Sequence, residues 1–165
     1  MGNPARTTPA GEQARSGPAP HRLLIPIDAT DASRRGLPYA IELARQKARV
    51  EVCLLYVVAP VRDWEVLRFR TEQEIHQHFQ SRAECFLEEA SAPLKAAGIP
   101  CSTCFREQEP VFGILDLAEQ LDCTAIVLPQ PDWLDFHGSS LVRRLRQARR
   151  PIPVILVDAD GSVEQ

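Results

Sequence analysis

Long apolar runs are missing from this chain: none approaches the roughly 18 residues that a membrane-crossing helix needs. A surplus of one charge is missing as well. Nineteen Lys and Arg stand against 22 Asp and Glu, a net charge of −3, so the surface as a whole is no footprint for nucleic acid. Dense cysteine is missing. The five thiols (Cys53, Cys85, Cys101, Cys104, Cys123) are odd in number and scattered, which excludes a small disulfide-held scaffold. The first twenty residues hold four prolines and three glycines and no apolar stretch, unlike an export signal. They are expected to form a disordered tail, 1–20, on a cytoplasmic protein with reduced thiols.

What is present is an alternation of strand-like and helix-like segments. Leu23-Leu24-Ile25-Pro26-Ile27 is short and continuously apolar, the mark of a strand buried on both faces. It runs into Asp28-Ala29-Thr30-Asp31, where Thr30 or Asp31 is positioned to cap a helix reaching about Lys47. Val50–Val58 is a second strand, and Ala59–Arg68 a loop. A long helix covers about Arg70 to Ala97, with Ile75, Phe79, Ala83, Phe86, Leu87, Ala90 and Leu94 on one face. Pro93 should kink or shorten it, and Gly98 should close it. Cys101–Arg106 is a third strand, and Pro110 opens the next helix. Ala125–Leu128 is a fourth strand. Gly138, Ser139 and Ser140 open a last helix, and Ile152–Val157 is a fifth strand, which Pro153 assigns to a sheet edge. This order predicts an α/β, doubly wound parallel sheet with helices on both faces.

Several chemical constellations fail on spacing. Cys101 and Cys104 fall three apart on a strand, hence on opposite faces, which excludes a redox pair. His76 and His78, two apart on a helix, do not share a face, so no metal pair forms there. Asp132, His137 and Ser139 lack the Gly-x-Ser-x-Gly turn of a hydrolase nucleophile. Arg143, Arg144, Arg146, Arg149 and Arg150 complement the negative end of the last helix. The expectation is a protein that is not an enzyme, with no metal site and no nucleic-acid or membrane partner.

Three stretches in order resemble the universal stress protein family. They are LLIPIDATDASRRGLPYAIELA, REQEPVFGILDLAEQLDCTAIVL and GSSLVRRLRQARRPIPVILV. The first is similar to the family's opening strand, its Asp-Gly-Ser turn and first helix, with Asp28 at the aspartate, Ala29 for the glycine and Thr30 for the serine. The second is similar to its Gly-Asp-Pro turn, helix and fourth strand, and the third to its Gly-Ser helix start and final strand. The resemblance implies a domain over 21–158, strand order 3-2-1-4-5, a stress-response role and a short C-terminal tail, 159–165. It also implies a homodimer through the fifth strand (Ile152, Val154, Ile155, Leu156, Val157).

Members that bind ATP carry Gly-x-x-Gly-x9-Gly-Ser/Thr after the fourth strand. Here Pro129 and Asp132 stand at the two glycines, and Pro131 lies between them. The prolines remove N–H donors, and the carboxylate opposes phosphate. One such like-charge pair at 4 Å costs about 4 kcal/mol at an effective dielectric of about 20. Five residues separate Asp132 from Gly138 where the pattern has nine. The reading is a degenerate nucleotide site with no cofactor, or weak ATP or AMP at most, on the remnant Asp28, Ala29, Val57, Gly138, Ser139 and Ser140. The alternative is a nucleotide-binding sensor that uses the same residues. Trp133, Leu134 and Phe136 are apolar in that loop and would either cover the site or offer a contact to a protein partner.

Overall fold

Alternate residues of each central strand point to opposite helical layers, and this explains the continuously apolar runs. A computed structural model describes residues 17–132, 136–149 and 152–163. The strands are β1 (His21–Pro26), β2 (Val50–Val58), β3 (Cys101–Glu107), β4 (Ala125–Pro129) and β5 (Val154–Val157). All pair in parallel, in the order β3-β2-β1-β4-β5. The helices are α1 (Gly36–Arg45), α2 (Trp64–Leu67), α3 (Glu72–Ala96), α4 (Pro110–Gln120) and α5 (Phe136–Gln147).

Leu23, Ile25, Val52, Leu54 and Tyr56 face α1 and α3, packing on Leu37, Ala40, Ala83, Leu87, Ala90 and Leu94. Leu24, Cys53, Leu55, Ile126 and Leu128 face α4 and α5, packing on Ile114, Leu115, Ala118, Val142 and Leu145. The doubly wound sheet is as the sequence pattern predicts, and its strand order is the one the family resemblance implies. Cys101 joins the first layer and Cys104 the second, as their odd separation requires.

Boundaries differ where local chemistry competes. Thr30 Oγ1 accepts the Ser33 N–H at 3.3 Å, whereas Asp31 makes no side-chain cap. A 3-10 turn over Ala32–Arg35 precedes α1. The expected loop Ala59–Arg68 contains α2, because Asp63 accepts the Glu65 N–H at 2.9 Å and so caps a single turn. α3 continues through Pro93, which lies in its last turn, and Gly98 follows with φ +71°. α5 begins at Phe136, two residues before Gly138, so Ser139 and Ser140 lie inside its first turns. β5 starts at Val154, leaving Ile152 outside, because Pro153 has no N–H with which to extend the ladder. The Pro153 carbonyl still accepts from Ile126 N–H at 2.9 Å.

After β5 the chain turns back. Gly161 N–H donates to Asp158 O (3.0 Å), Asp158 N–H to Ser162 O (2.9 Å), and Val163 bridges Val157 antiparallel. Gly161 takes φ +81°, and a Cβ there would meet Pro38 Cβ at 3.0 Å.

Candidate functional site

In an open parallel sheet, ligands settle at the carboxyl ends of the strands where the winding reverses, here between β1 and β4. The residues singled out in the sequence lie along that end but hold different duties. Asp28, exposed after β1, accepts the Thr30 N–H at 2.7 Å and the Thr30 hydroxyl, so its carboxylate closes its own turn. Its backbone N–H donates to Ser33 Oγ (3.1 Å), and the Ser33 hydroxyl donates to Thr30 O (2.8 Å). Ala29 is exposed in the same turn. Val57 points to the other layer, where a Cβ on Gly113 would meet its Cγ2 at 2.9 Å. Gly138, Ser139 and Ser140 stand in the first turns of α5. Trp133, Leu134 and Asp135 lie outside the described residues, as does the side chain of Phe136.

Two arginines fix the walls of this end. Arg35 crosses the reversal point, its Nη1 donating to Gln130 O at 3.4 Å. Arg144 of α5 pairs with Glu109 at 2.8 Å. Burial pushes the Glu109 carboxyl up, but the Phe112 N–H and Arg144 outweigh it and hold it below its ordinary value. The basic stripe of α5 therefore serves an interhelical ion pair as well as the helix end. Arg143 and Arg146 instead line a groove with Gln130, Pro131, Val142 and Leu156. Arg150 lies outside the described residues.

The cavity beside Arg35, of about 430 Å³, is lined by Gln130, Asp132, Asp158 and Asp160. Three carboxylates face one guanidinium. Asp160 is held below its ordinary value by the Ser162 hydroxyl (2.6 Å) and N–H (3.0 Å), so it keeps its charge into acid. Among the described residues, no group of three His, Cys, Asp or Glu is placed to hold a metal ion. No described helix is long and apolar enough to cross a membrane. Burial pushes the Cys53 thiol up to about 11 and raises Cys101 and Cys123, so these thiols stay protonated at neutral pH.

The sequence model of the Universal stress protein family matches residues 20–157. The chain belongs to the universal stress protein family. Solved structures share its fold. A universal stress protein family member from Burkholderia pseudomallei is 19% identical, with 83% of this chain and 95% of that one covered and a TM-score of 0.65. The Archaeoglobus fulgidus universal stress protein in complex with dAMP is 22% identical over 88% and 98%, with a TM-score of 0.58. A universal stress protein family protein from Arabidopsis thaliana with AMP bound is 12% identical over 88% and 100%, with a TM-score of 0.60. No curated protein matches the sequence significantly.

One feature of this universal stress protein has no strong sequence signal. Trp64 and Phe69 are exposed, with the Arg68 guanidinium 5.4 Å and 5.7 Å from their ring centres. Trp64 and Phe69 fall five apart in a stretch without apolar periodicity, where the turn of α2 is continued by the Phe69 N–H donating to Val66 O at 3.1 Å.

Proposed function

We propose that this chain is a non-enzymatic, regulatory universal stress protein that does not hold ATP tightly. The observation that carries the reading is the acidic cavity beside the reversal point, whose lining, among the described residues, holds Asp132, Asp158 and Asp160 with Arg35 as its cation. A triphosphate brought there meets more negative than positive charge. The hydrogen bond from Arg35 to Gln130 O engages that one cation. Pro129 and Pro131 further deprive the loop of N–H donors. Calorimetry with ATP and Mg²⁺ tests it. The expected outcome is no saturation below about 1 mM, and a dissociation constant in the micromolar range overturns it.

The second reading is a nucleotide sensor using Asp28, Ala29, Val57, Gly138, Ser139 and Ser140. The dAMP and AMP complexes of the two relatives favour it. Titration with AMP separates the readings, since AMP carries less charge to the acidic cavity.

The module is proposed to be a cytoplasmic homodimer paired through Val154, Ile155, Leu156 and Val157, with Ile152 beside them. Half-buried Ile152, Val154 and Ile155 would complete their burial against a second copy. Light scattering should give twice the chain mass, and a monomer overturns the dimer.

A further inference from the structure

Strand β3 is the sheet edge opposite β5. In its ladder with β2, Val52 N–H donates to Pro100 O at 2.9 Å, and Gln108 N–H donates to Val58 O at 2.9 Å. The parallel register carries that parity through Ser102, Cys104 and Arg106. Cys101, Thr103, Phe105 and Glu107 therefore direct four N–H and four C=O groups away from the sheet. Among the described residues these groups have no backbone partner. Proteins usually blunt such an edge with proline, lysine, a bulge or a short strand. This one runs seven residues, Cys101–Glu107, with neither proline nor lysine. Its arginine, Arg106, is drawn off to Gln120 of α4 at 3.4 Å.

A groove of about 470 Å³ lies between this edge and α3. Its α3 wall carries His76, Gln80, Glu84 and Glu88 at four-residue intervals, and Thr103 and Phe105 form its β3 wall. His76 Nδ1 is 2.6 Å from Glu107 Oε2, and Glu88 is 3.5 Å from Lys95 Nζ. α3 as a whole carries five glutamates against Arg82 and Lys95, and Arg82 lies over the Phe86 ring. The groove is therefore acidic.

We propose that the free edge of β3 takes up an extended basic segment of a partner protein by strand addition, with α3 reading its charge. The spacing of the two elements agrees. Residues four apart on a helix rise about 6 Å. Alternate residues of a strand, the ones that share a face, lie about 6.7 Å apart. A strand with Lys or Arg at every second position thus lays its cations along Glu84 and Glu88 while its backbone pairs with residues 101–107. A second copy of this chain fits worse, because it would set one glutamate-bearing α3 against another.

The test uses the full chain and two blocked peptides, Thr-Lys-Val-Lys-Val-Lys-Thr and its counterpart with Glu for each Lys. Calorimetry should show the lysine peptide binding at about 1–100 μM and at least about tenfold tighter than the glutamate one. Charge reversal by Glu84→Lys with Glu88→Lys should weaken it at least about tenfold. Thr103→Pro removes an outward N–H without touching the ladder, so it should weaken binding by a similar factor with an unchanged melting curve. If that variant does not fold, the charge reversal alone decides. Amide NMR shifts on binding should centre on Thr103, Phe105 and Glu107. Equal binding of both peptides, insensitivity to the charge reversal, shifts centred on β5, or self-association of the free chain through residues 101–107 would each overturn the proposal.

Discussion

The two edges of one sheet are managed in opposite ways. β5 is four residues long, enters behind a proline, and loses an outward donor, the Asp158 N–H, to the chain's own Ser162 at 2.9 Å. Only Val154 and Leu156 keep outward N–H groups along that strand. β3 is seven residues long and keeps four. Apolar side chains invite association at β5, whereas an unfilled backbone template beside a row of carboxylates does so at β3. A sheet edge is thus a composite of hydrogen-bond supply and side-chain chemistry, and the two need not peak on the same strand.

The contrast breaks most sharply through Val157. It is fully buried, and Val163 bridges to it. Val157→Ala should cost about 2–3 kcal/mol in urea unfolding through the cavity it leaves. It should also free the returning segment, seen as faster exchange of the Asp158 amide.

Gly161→Ala acts on the same cover from outside the sheet. The left-handed backbone at φ +81° and the 3.0 Å approach to Pro38 should together cost about 1–2 kcal/mol. If the returning segment shields β5, this variant should dimerise more readily in sedimentation. An unchanged self-association constant would show that the cover is irrelevant to that edge.

On the β3 side, α3 is anchored by a capping box in which Thr71 and Glu74 bond each other's backbone N–H groups. Thr71→Ala should cost about 1 kcal/mol. The Thr71 N–H and hydroxyl hold the Glu74 carboxyl below its ordinary 4.5. Its contribution is therefore complete above that value and is lost as the pH falls through the lower folded value. The first turn of α3 should fray in helix-sensitive circular dichroism on acidification below about pH 4.5; Glu74→Gln should abolish that step, whereas Thr71→Ala, which keeps the backbone N–H, should only reduce it.

The smallest effect belongs to the open edge itself. Thr103 is exposed and its backbone points outward, so Thr103→Ala should change stability by less than about 0.5 kcal/mol. A larger loss would mean that something already occupies β3.

Much of this architecture is legible in the residues. Leu23 to Ile27, Val50 to Val58 and Ala125 to Leu128 announce strands buried on both faces, and the 3.6-residue stripe from Ile75 to Leu94 announces α3. Gly98 marks a helix end because only its missing Cβ makes φ +71° cheap. The missing N–H donors at Pro129 and Pro131 are legible too, since proline lacks an N–H in any fold. The acidic cavity is not, because Asp132, Asp158 and Asp160 meet only when β4 and β5 end side by side. The sequence reading gives Arg144 to the helix end and misses its ion pair for the same reason: its partner Glu109 lies 35 residues away. The missed turn of α2 rests on one hydrogen bond from Asp63, too weak a signal to separate from a loop.

Taken by itself, the sequence determines the five strands, the longer helices and their alternation, and hence the parallel sheet, while its three family-like stretches carry the family. Periodicity and turn chemistry are local properties of the chain. Tertiary structure alone decides which backbone groups remain unpaired at each edge, and that Val163 returns to cover part of one edge while, among the described residues, the other stays open. Hydrogen-bond parity along an edge depends on the neighbour's register, and register is fixed only when distant segments pack.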